Sequence, residues 1–563
     1  MRPATVSRLT MAVAALVCAL LALQPATARA ASYTKISGGG STWSSNALDQ
    51  WRRNVAANSG MTVNYSPVGS SVGREQFKNG TADFAVSEIP YGLTESGMRD
   101  APPKRGYAYM PIVAGGTAFM YNLRIGGRKV TNLRLSGEVV TKIFTGTLTM
   151  WNAPEIRADN PGLVLPARRI IPVVRSDGSG TTAQLTTWLA KEHSGLWDAY
   201  CRRAGRSTPC GMTSYFPVVP GSSTIAKSGS LGVSGYTKQG HAEGAITYVE
   251  YSYAIKTGFP VAKVLNASGY YVEPTASSVA VALMKARINE DKNSENYLTQ
   301  ILDGVYRSAD RRTYPLSSYS YMIVPTEAES PFTTAKGKTL GSFANYFLCE
   351  GQQQAEELGY SPLPKNLVEA GFTQVRRIPG APSADIDIKS CRNPTFSSDG
   401  SNTLARNAPY PKACDKRGTT QCADGTAGAK QQTRVNSGAD GGGSGGGTGG
   451  TGGTGAAGGK GGAGTAGASG GSTGTDGASG AATGGGAASG AVDPDTGEPI
   501  EGSAGGGDAS VVGNPVTLAA GGSPGLRGVL MALSAVLLLG VVVGPPLTAR
   551  ALAARNRRKE GPR

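Results

Sequence analysis

The sequence predicts an α/β fold for residues 33–378, and three observations carry it. Between residue 33 and about residue 375, short runs rich in β-branched and aromatic residues alternate with stretches of helical period, a pattern that favours α/β layers over a sandwich. No self-similarity recurs at 20 to 50 residues, which excludes solenoids and propellers. Three Gly/Ser/Thr-rich turns each lead out of a strand-like run into a helix, the usual joint of a β–α unit.

Taken in chain order, residues 1–30 read as a secretory signal peptide: Arg2 and Arg8, an apolar run over 9–23, and a small-residue pattern at Ala28 and Ala30. Cys18 follows Val17 rather than a small residue, so no lipoprotein cleavage site is read there. A helix is expected over 46–57, where Ala47, Leu48, Trp51 and Val55 share one face. Another is expected over 137–144, where Val139, Val140, Ile143 and Phe144 do so. Strands are expected over 61–68, 83–89, 107–113, 170–175, 245–253 and 319–324, each a β-rich run bounded by turn residues. A Pro- and Cys-bearing tail spans 379–425.

Beyond it, residues 426–527 read as a disordered linker. Of the 54 residues from 437 to 490, 27 are glycine, and Ala, Ser and Thr fill most of the rest; such a segment buries too little apolar surface to offset its ordering entropy. Residues 528–549 carry no charge over 22 positions. That is about 33 Å as a helix, enough for one transmembrane helix, with Pro545 and Pro546 breaking its last turn. The arginine-rich residues 550–563 should stay cytoplasmic and leave the folded body outside the membrane.

The formal charge of +16 resolves along the same lines, since the first 30 residues carry +3 and the last 14 carry +5. The remaining +8 forms no dense basic block with interleaved aromatics, so no nucleic-acid partner is expected. Six cysteines remain after the signal peptide, an even count that suggests three disulfides in an exported chain. Fifteen pairings are possible, and Cys201 with Cys210 and Cys414 with Cys422 are the local choices. No Cys-x-x-Cys or Cys/His cluster is found, and His193 and His241 read as surface residues, so neither metal nor cofactor is expected.

The chemistry lies in the three turns: GGGSTWSSN at 38–46, VGSSVGREQF at 68–77 and VVRSDGSGTTAQL at 173–185. A helix start exposes unpaired N–H donors and partial positive charge, and small residues let an anion approach them. Hydroxyls of Ser41, Thr42, Ser70, Ser179 and Thr181 add donors. Arg175, just ahead of the third turn, offers a planar fork to an oxyanion, and Asp177 would hold that fork in place.

On these residues the chain resembles the phosphate-binding proteins of Pst-type phosphate ABC transporters, which have the bilobal type II periplasmic-binding-protein fold. The resemblance runs over about residues 33–375 and is most specific in LSGEVVTKIFTGTLTMWNAPEI, NPGLVLPARRIIPVVRSDGSGTT, GAITYVEYSYA and YPLSSYSYMIVP. It implies inorganic phosphate as ligand and ABC permease subunits as partners. It assigns phosphate contacts to Ser41, Thr42, Trp43, Ser70, Arg175, Ser179, Gly180 and Thr181, with Asp177 orienting the arginine. It also implies two crossings between lobes, one over 112–119, where Gly115 and Gly116 break a strand, and a return after Tyr253.

One position departs from the family. Where the family has an aspartate after the second strand, AVSEIPY places Glu88, one methylene longer. There the family carboxylate accepts a hydrogen bond from a protonated phosphate oxygen, and an unprotonated oxyanion facing Glu88 would meet an unpaired charge. A second reading, a surface protein reusing the fold for a different oxyanion or for none, rests on that departure. An enzyme is not expected: the GSG at 178–180 lacks the G-x-S-x-G spacing, and no motif marks either histidine as a base.

Overall fold

A computed structural model describes residues 33–435 except 96, 97, 295, 383–387, 389 and 398. The expected signal peptide, membrane span and basic tail, and all of the expected linker after residue 435, lie outside the described residues. Among the described residues, no helix is long and apolar enough to cross a membrane.

The chain forms an α/β structure of two lobes that share one strand. In the first lobe, β1 (Ile36–Gly40) pairs in parallel with β2 (Val63–Ser66) and β3 (Phe84–Ser87). Two helices follow the first two strands, α1 (Ser45–Ser59) and α2 (Ser70–Lys78). The shared strand β4 (Tyr107–Tyr121) leads into the second lobe, where β5 (Ile171–Arg175), β6 (Ile225–Lys227) and β7 (Ala245–Glu250) are parallel neighbours. The chain returns through β8 (Val261–Leu265) and β9 (Tyr271–Val272) to β10 (Ser317–Pro325). The resulting strand order is β6-β5-β7-β4-β10-β3-β1-β2.

The expected break at Gly115 and Gly116 is absent. Strand β4 runs straight through the pair and changes partners there: Gly116 lies opposite Ser317 of β10, whereas Thr117 lies opposite Glu250 of β7. Space explains the glycine, because a Cβ on Gly115 would lie 2.8 Å from the Trp43 ring and 3.1 Å from Glu250 Oε1. The return crossing falls between Val272 and Ala276, where the Thr275 hydroxyl caps helix α7 (Ala276–Leu283) by accepting from Ser278 N at 3.3 Å.

Other boundaries shift for local reasons. The strand expected to reach Tyr253 ends at Glu250, whose carboxylate accepts the Ser252 N–H at 2.8 Å and starts helix α6 (Tyr251–Thr257). In the second lobe, helix α3 (Gly137–Phe144) has the expected bounds, and α4 (Gly180–Glu192) and α5 (Gly229–Thr237) follow β5 and β6. His193 is not a plain surface residue: it is half-buried with its ring edge-on to Trp188, and burial pushes its pKa down. The disulfides are Cys201–Cys210, Cys349–Cys391 and Cys414–Cys422.

Residues 426–435, expected to belong to the linker, are fastened to the second lobe instead. Thr426 Oγ1 donates to Val261 O at 2.6 Å and accepts from Val261 N at 3.0 Å. Thr131 donates to Gln431 O at 2.6 Å through its hydroxyl and to Thr433 Oγ1 at 2.9 Å through its N–H. Small hydroxylated residues read as linker by composition serve here as hydrogen-bonding partners of a lobe edge.

Candidate functional site

Four strand-to-helix turns face one another where the lobes meet. In the first, Ser41 N donates to Val86 O at 2.8 Å, which turns the chain after β1 toward α1. Glycines 38 to 40 belong to β1 itself, and their smallness serves packing: a Cβ on Gly38 would lie 2.3 Å from the Phe84 ring, and one on Gly40 2.1 Å from Val86 O. In the second turn, Gly69 adopts φ 92°, a conformation that favours glycine, and α2 begins at Ser70. In the third, Ser179 caps α4 by accepting from Thr182 N at 3.2 Å. The fourth, Ser228 to Ser230 at the start of α5, has the same design and follows a strand of only three residues.

Glu88, at the end of β3, joins the first three turns. Its Oε2 accepts from Ser41 Oγ at 2.8 Å and from Ser70 Oγ at 3.1 Å, and its Oε1 accepts from Ser320 Oγ of β10. Gly180 N, the first N–H of α4, donates to Ser70 Oγ at 3.2 Å. Gln184, one turn along α4, donates to the Glu88 carbonyl at 3.1 Å. Burial pushes the Glu88 carboxyl above its ordinary range, and the three serine hydroxyls and the Arg175 charge pull it down without overcoming that effect.

Arg175 ends β5 and is 2% exposed. Its Nε donates to Asp177 Oδ1 at 2.7 Å and its Nη2 to Asp177 Oδ2, while Nη1 lies 3.4 Å from Ser230 Oγ. Gly229 N donates to Asp177 Oδ1 at 2.9 Å. Burial raises the Asp177 carboxyl, but the Arg175 fork and the Gly229 N–H outweigh it and leave the group below its ordinary value. Thr42 Oγ1 reaches Ser230 Oγ at 2.8 Å and so ties the first turn to the fourth.

Of the residues singled out in the sequence, Ser41, Ser70, Glu88 and Gly180 touch one another, and Thr42 and Arg175 both reach Ser230. Asp177 holds the guanidinium in a two-point grip. Thr181 Oγ1 is buried with no hydrogen-bond partner among the described residues. Trp43 meets the cluster through its backbone, N donating to Ser41 Oγ at 3.0 Å, while its ring is buried edge-on to Tyr360, with centroids 5.7 Å apart. Sequence reasoning missed Ser230, Ser320 and Gln184. The turn KSGS at 227–230 repeats the signal of the other three turns and was open to the same reading. Ser320 carried no local signal, because it approaches from a strand more than two hundred residues away from Glu88.

Chemically, the cluster offers backbone and hydroxyl donors, one guanidinium and one carboxyl, which suits a small oxyanion that carries a proton. Among the described residues, no group of three or more His, Cys, Asp and Glu side chains is arranged to hold a metal ion.

The sequence matches the PBP superfamily domain over residues 25–350. It is 31% identical over 345 residues to a phosphate-binding protein PstS of Xylella fastidiosa, covering 61% of this chain and 86% of the relative. It is 30% identical over 332 residues to phosphate-binding protein PstS 2 of Mycobacterium tuberculosis, covering 58% and 82%. Among solved structures, a phosphate-binding protein from Stenotrophomonas maltophilia aligns at a TM-score of 0.43 and 18% identity, over 61% of this chain and 94% of that one.

Proposed function

The chain belongs to the PBP superfamily and, within it, to the family of the PstS phosphate-binding proteins; from that premise we propose that it captures inorganic phosphate between its lobes and delivers it to an ABC permease. The observation that carries the reading is the convergence of Ser41 and Ser70 on Glu88, with Gly180 N on the Ser70 hydroxyl, opposite an arginine held rigid by Asp177. In this reading Ser41, Thr42, Trp43, Ser70, Ser179, Gly180 and Thr181 donate to the phosphate oxygens, and Arg175 supplies the single full positive charge. Each charge-assisted hydrogen bond in such a dry site contributes about 1.5 to 3 kcal/mol net.

Glu88 accounts for selectivity. Hydrogen phosphate still carries a proton near neutral pH and can donate it to the carboxylate, whereas sulfate brings an unprotonated oxygen against a like charge. Closure is a hinge motion about the two crossings, at 116–117 and 273–275, with the four turns as the jaws.

The remainder of the chain supplies the setting. Residues 426–527 act as a tether from about residue 436 onward, residues 528–549 cross the membrane, and the basic end lies inside, so that the binding lobes stay extracellular. A Gly-rich tether of roughly 100 residues reaches about 50 to 60 Å, which raises the concentration of the binder at a permease in the same membrane. Isothermal titration of the purified protein with phosphate and with sulfate tests the binding step. Saturable heat with phosphate and little with sulfate is expected. Absent phosphate heat with another anion bound, or with none, would favour the second reading, a surface protein that reuses the fold.

A further inference from the structure

Outside the cluster around Glu88, the carboxylate of Glu95 also joins the two lobes, deeper than the exposed pairs Arg307–Glu192 and Lys191–Asp303. Glu95 belongs to a short hairpin of the first lobe, in which Thr94–Glu95 pairs with Met98–Arg99. Its carboxylate reaches the loop at residues 213–215 of the second lobe. Oε1 accepts from Thr213 Oγ1 at 2.6 Å, from Tyr215 N at 3.2 Å and from Ser214 N, and Oε2 accepts from Ser214 Oγ. A single carboxylate thus takes four donors, two of them backbone N–H groups, from a segment about 120 positions away in sequence. Three of these donors meet Oε1 and one meets Oε2, and the Thr213 hydroxyl is shared with Tyr215 O at 2.6 Å, in a contact that joins one lobe to the other.

The loop it grips is fixed to the second lobe and touches the candidate site. Thr186 of α4 donates its hydroxyl to Thr213 O at 3.0 Å and accepts from Thr213 N at 3.0 Å. Trp197 Nε1 donates to Gly211 O at 2.9 Å, and the Cys201–Cys210 bridge ties the loop's start to the helix Ser194–Arg203. Ser214 O accepts from Ser179 N at 3.0 Å, so the residue held by Glu95 also holds the N-cap of α4. Thr213 and Ser214 are buried, at 2% and 1% exposure, so water competes poorly for their bonds, whereas Tyr215 is exposed.

We propose that Glu95 is a latch between the lobes: it clasps Ser214 when the cleft is closed, and so sets how long an enclosed anion stays without touching the anion itself. The latch builds on the phosphate reading for its ligand but not for its geometry. Opening breaks four bonds to one charge at once, whereas ligand entry into an open cleft breaks none of them. Glu95 therefore acts on release rather than on capture or selectivity.

The test compares the full chain with E95Q and E95A by stopped-flow measurement of phosphate release and capture, and by the interlobe distance between spin labels on Asn58 and Lys238. Release at least about tenfold faster in E95Q is expected, with capture and the phosphate-to-sulfate ratio unchanged, since losing one charge-assisted set of bonds corresponds to at least one decade. The distance distribution should shift toward the open arrangement in both variants. Unchanged release together with an unchanged distribution would overturn the latch, and so would a loss confined to the capture rate. If the wild-type chain takes up no phosphate, the functional reading fails, and the distance distributions alone still decide the latch.

Discussion

Glu88 is buried with three hydroxyl donors and, among the described residues, no cation in direct contact, which gives its protonation a definite sign. Because its folded value is raised by burial, the folded state binds its proton more tightly than the unfolded chain does. Stability therefore falls as pH rises from the ordinary carboxylate range, about 4.3, to the raised folded value, and the deficit persists above it. E88Q is expected to be more stable than wild type at pH 7 in ligand-free urea titrations, with the gap closing below about pH 4. The same variant should lose discrimination against sulfate, read as a falling phosphate-to-sulfate affinity ratio. Asp177 has the opposite sign, since its folded value is lowered. Its stabilisation is complete above the ordinary carboxylate range and is lost as pH falls through the lowered folded value. D177N should cost about 3 to 5 kcal/mol at pH 7, because it leaves the buried Arg175 fork without its counter-charge. The difference from wild type should shrink in acid, as measured by denaturant midpoints at pH 7 and pH 2.

At the scale of elements, the start of α4 shows how tightly the turns are fitted. A Cβ on Gly180 would lie 1.7 Å from Glu88 Oε2 and 2.8 Å from Ser70 Oγ, and neither atom belongs to a flexible tip free to swing away. G180A should therefore push α4 away from the first lobe and weaken phosphate binding at least tenfold, with a lower unfolding temperature; calorimetry and titration check the two effects. The turns were legible in the sequence because a strand-to-helix joint is written locally, in small and hydroxylated residues around one helix start. Gly115 and Gly116 misled for the same reason. Glycine is a local signal for a break, but here the ring of Trp43, brought from a distant turn, needs the room while β4 continues. Ser320 was illegible for the complementary reason: its partner Glu88 is on another strand, and strand pairing is a property of the whole sheet.

For the molecule as a whole, the question is where the folded body stops, and composition alone places that point about ten residues too early. The described chain stays fastened to the second lobe through Thr433, and one buried cation depends on the segment just before that stretch. Arg134 is 1% exposed, and its guanidinium donates to Asp159 O at 2.9 Å, to Cys414 O at 2.9 Å and to Thr419 O at 2.7 Å. Two of those three acceptors come from the Cys414–Cys422 segment, so removing it strands the charge in an apolar setting where burial already pushes its pKa down. Lys263 would lose Asp415, 2.7 Å away, and the Val261 N–H would lose Thr426. A chain ended after residue 435 should match the full chain in unfolding temperature and phosphate affinity. One ended after residue 412 should unfold several degrees lower, since each stranded buried group costs about 1 to 3 kcal/mol. Equal melting of the two truncated chains would mean that the segment rests on the lobe without supporting it.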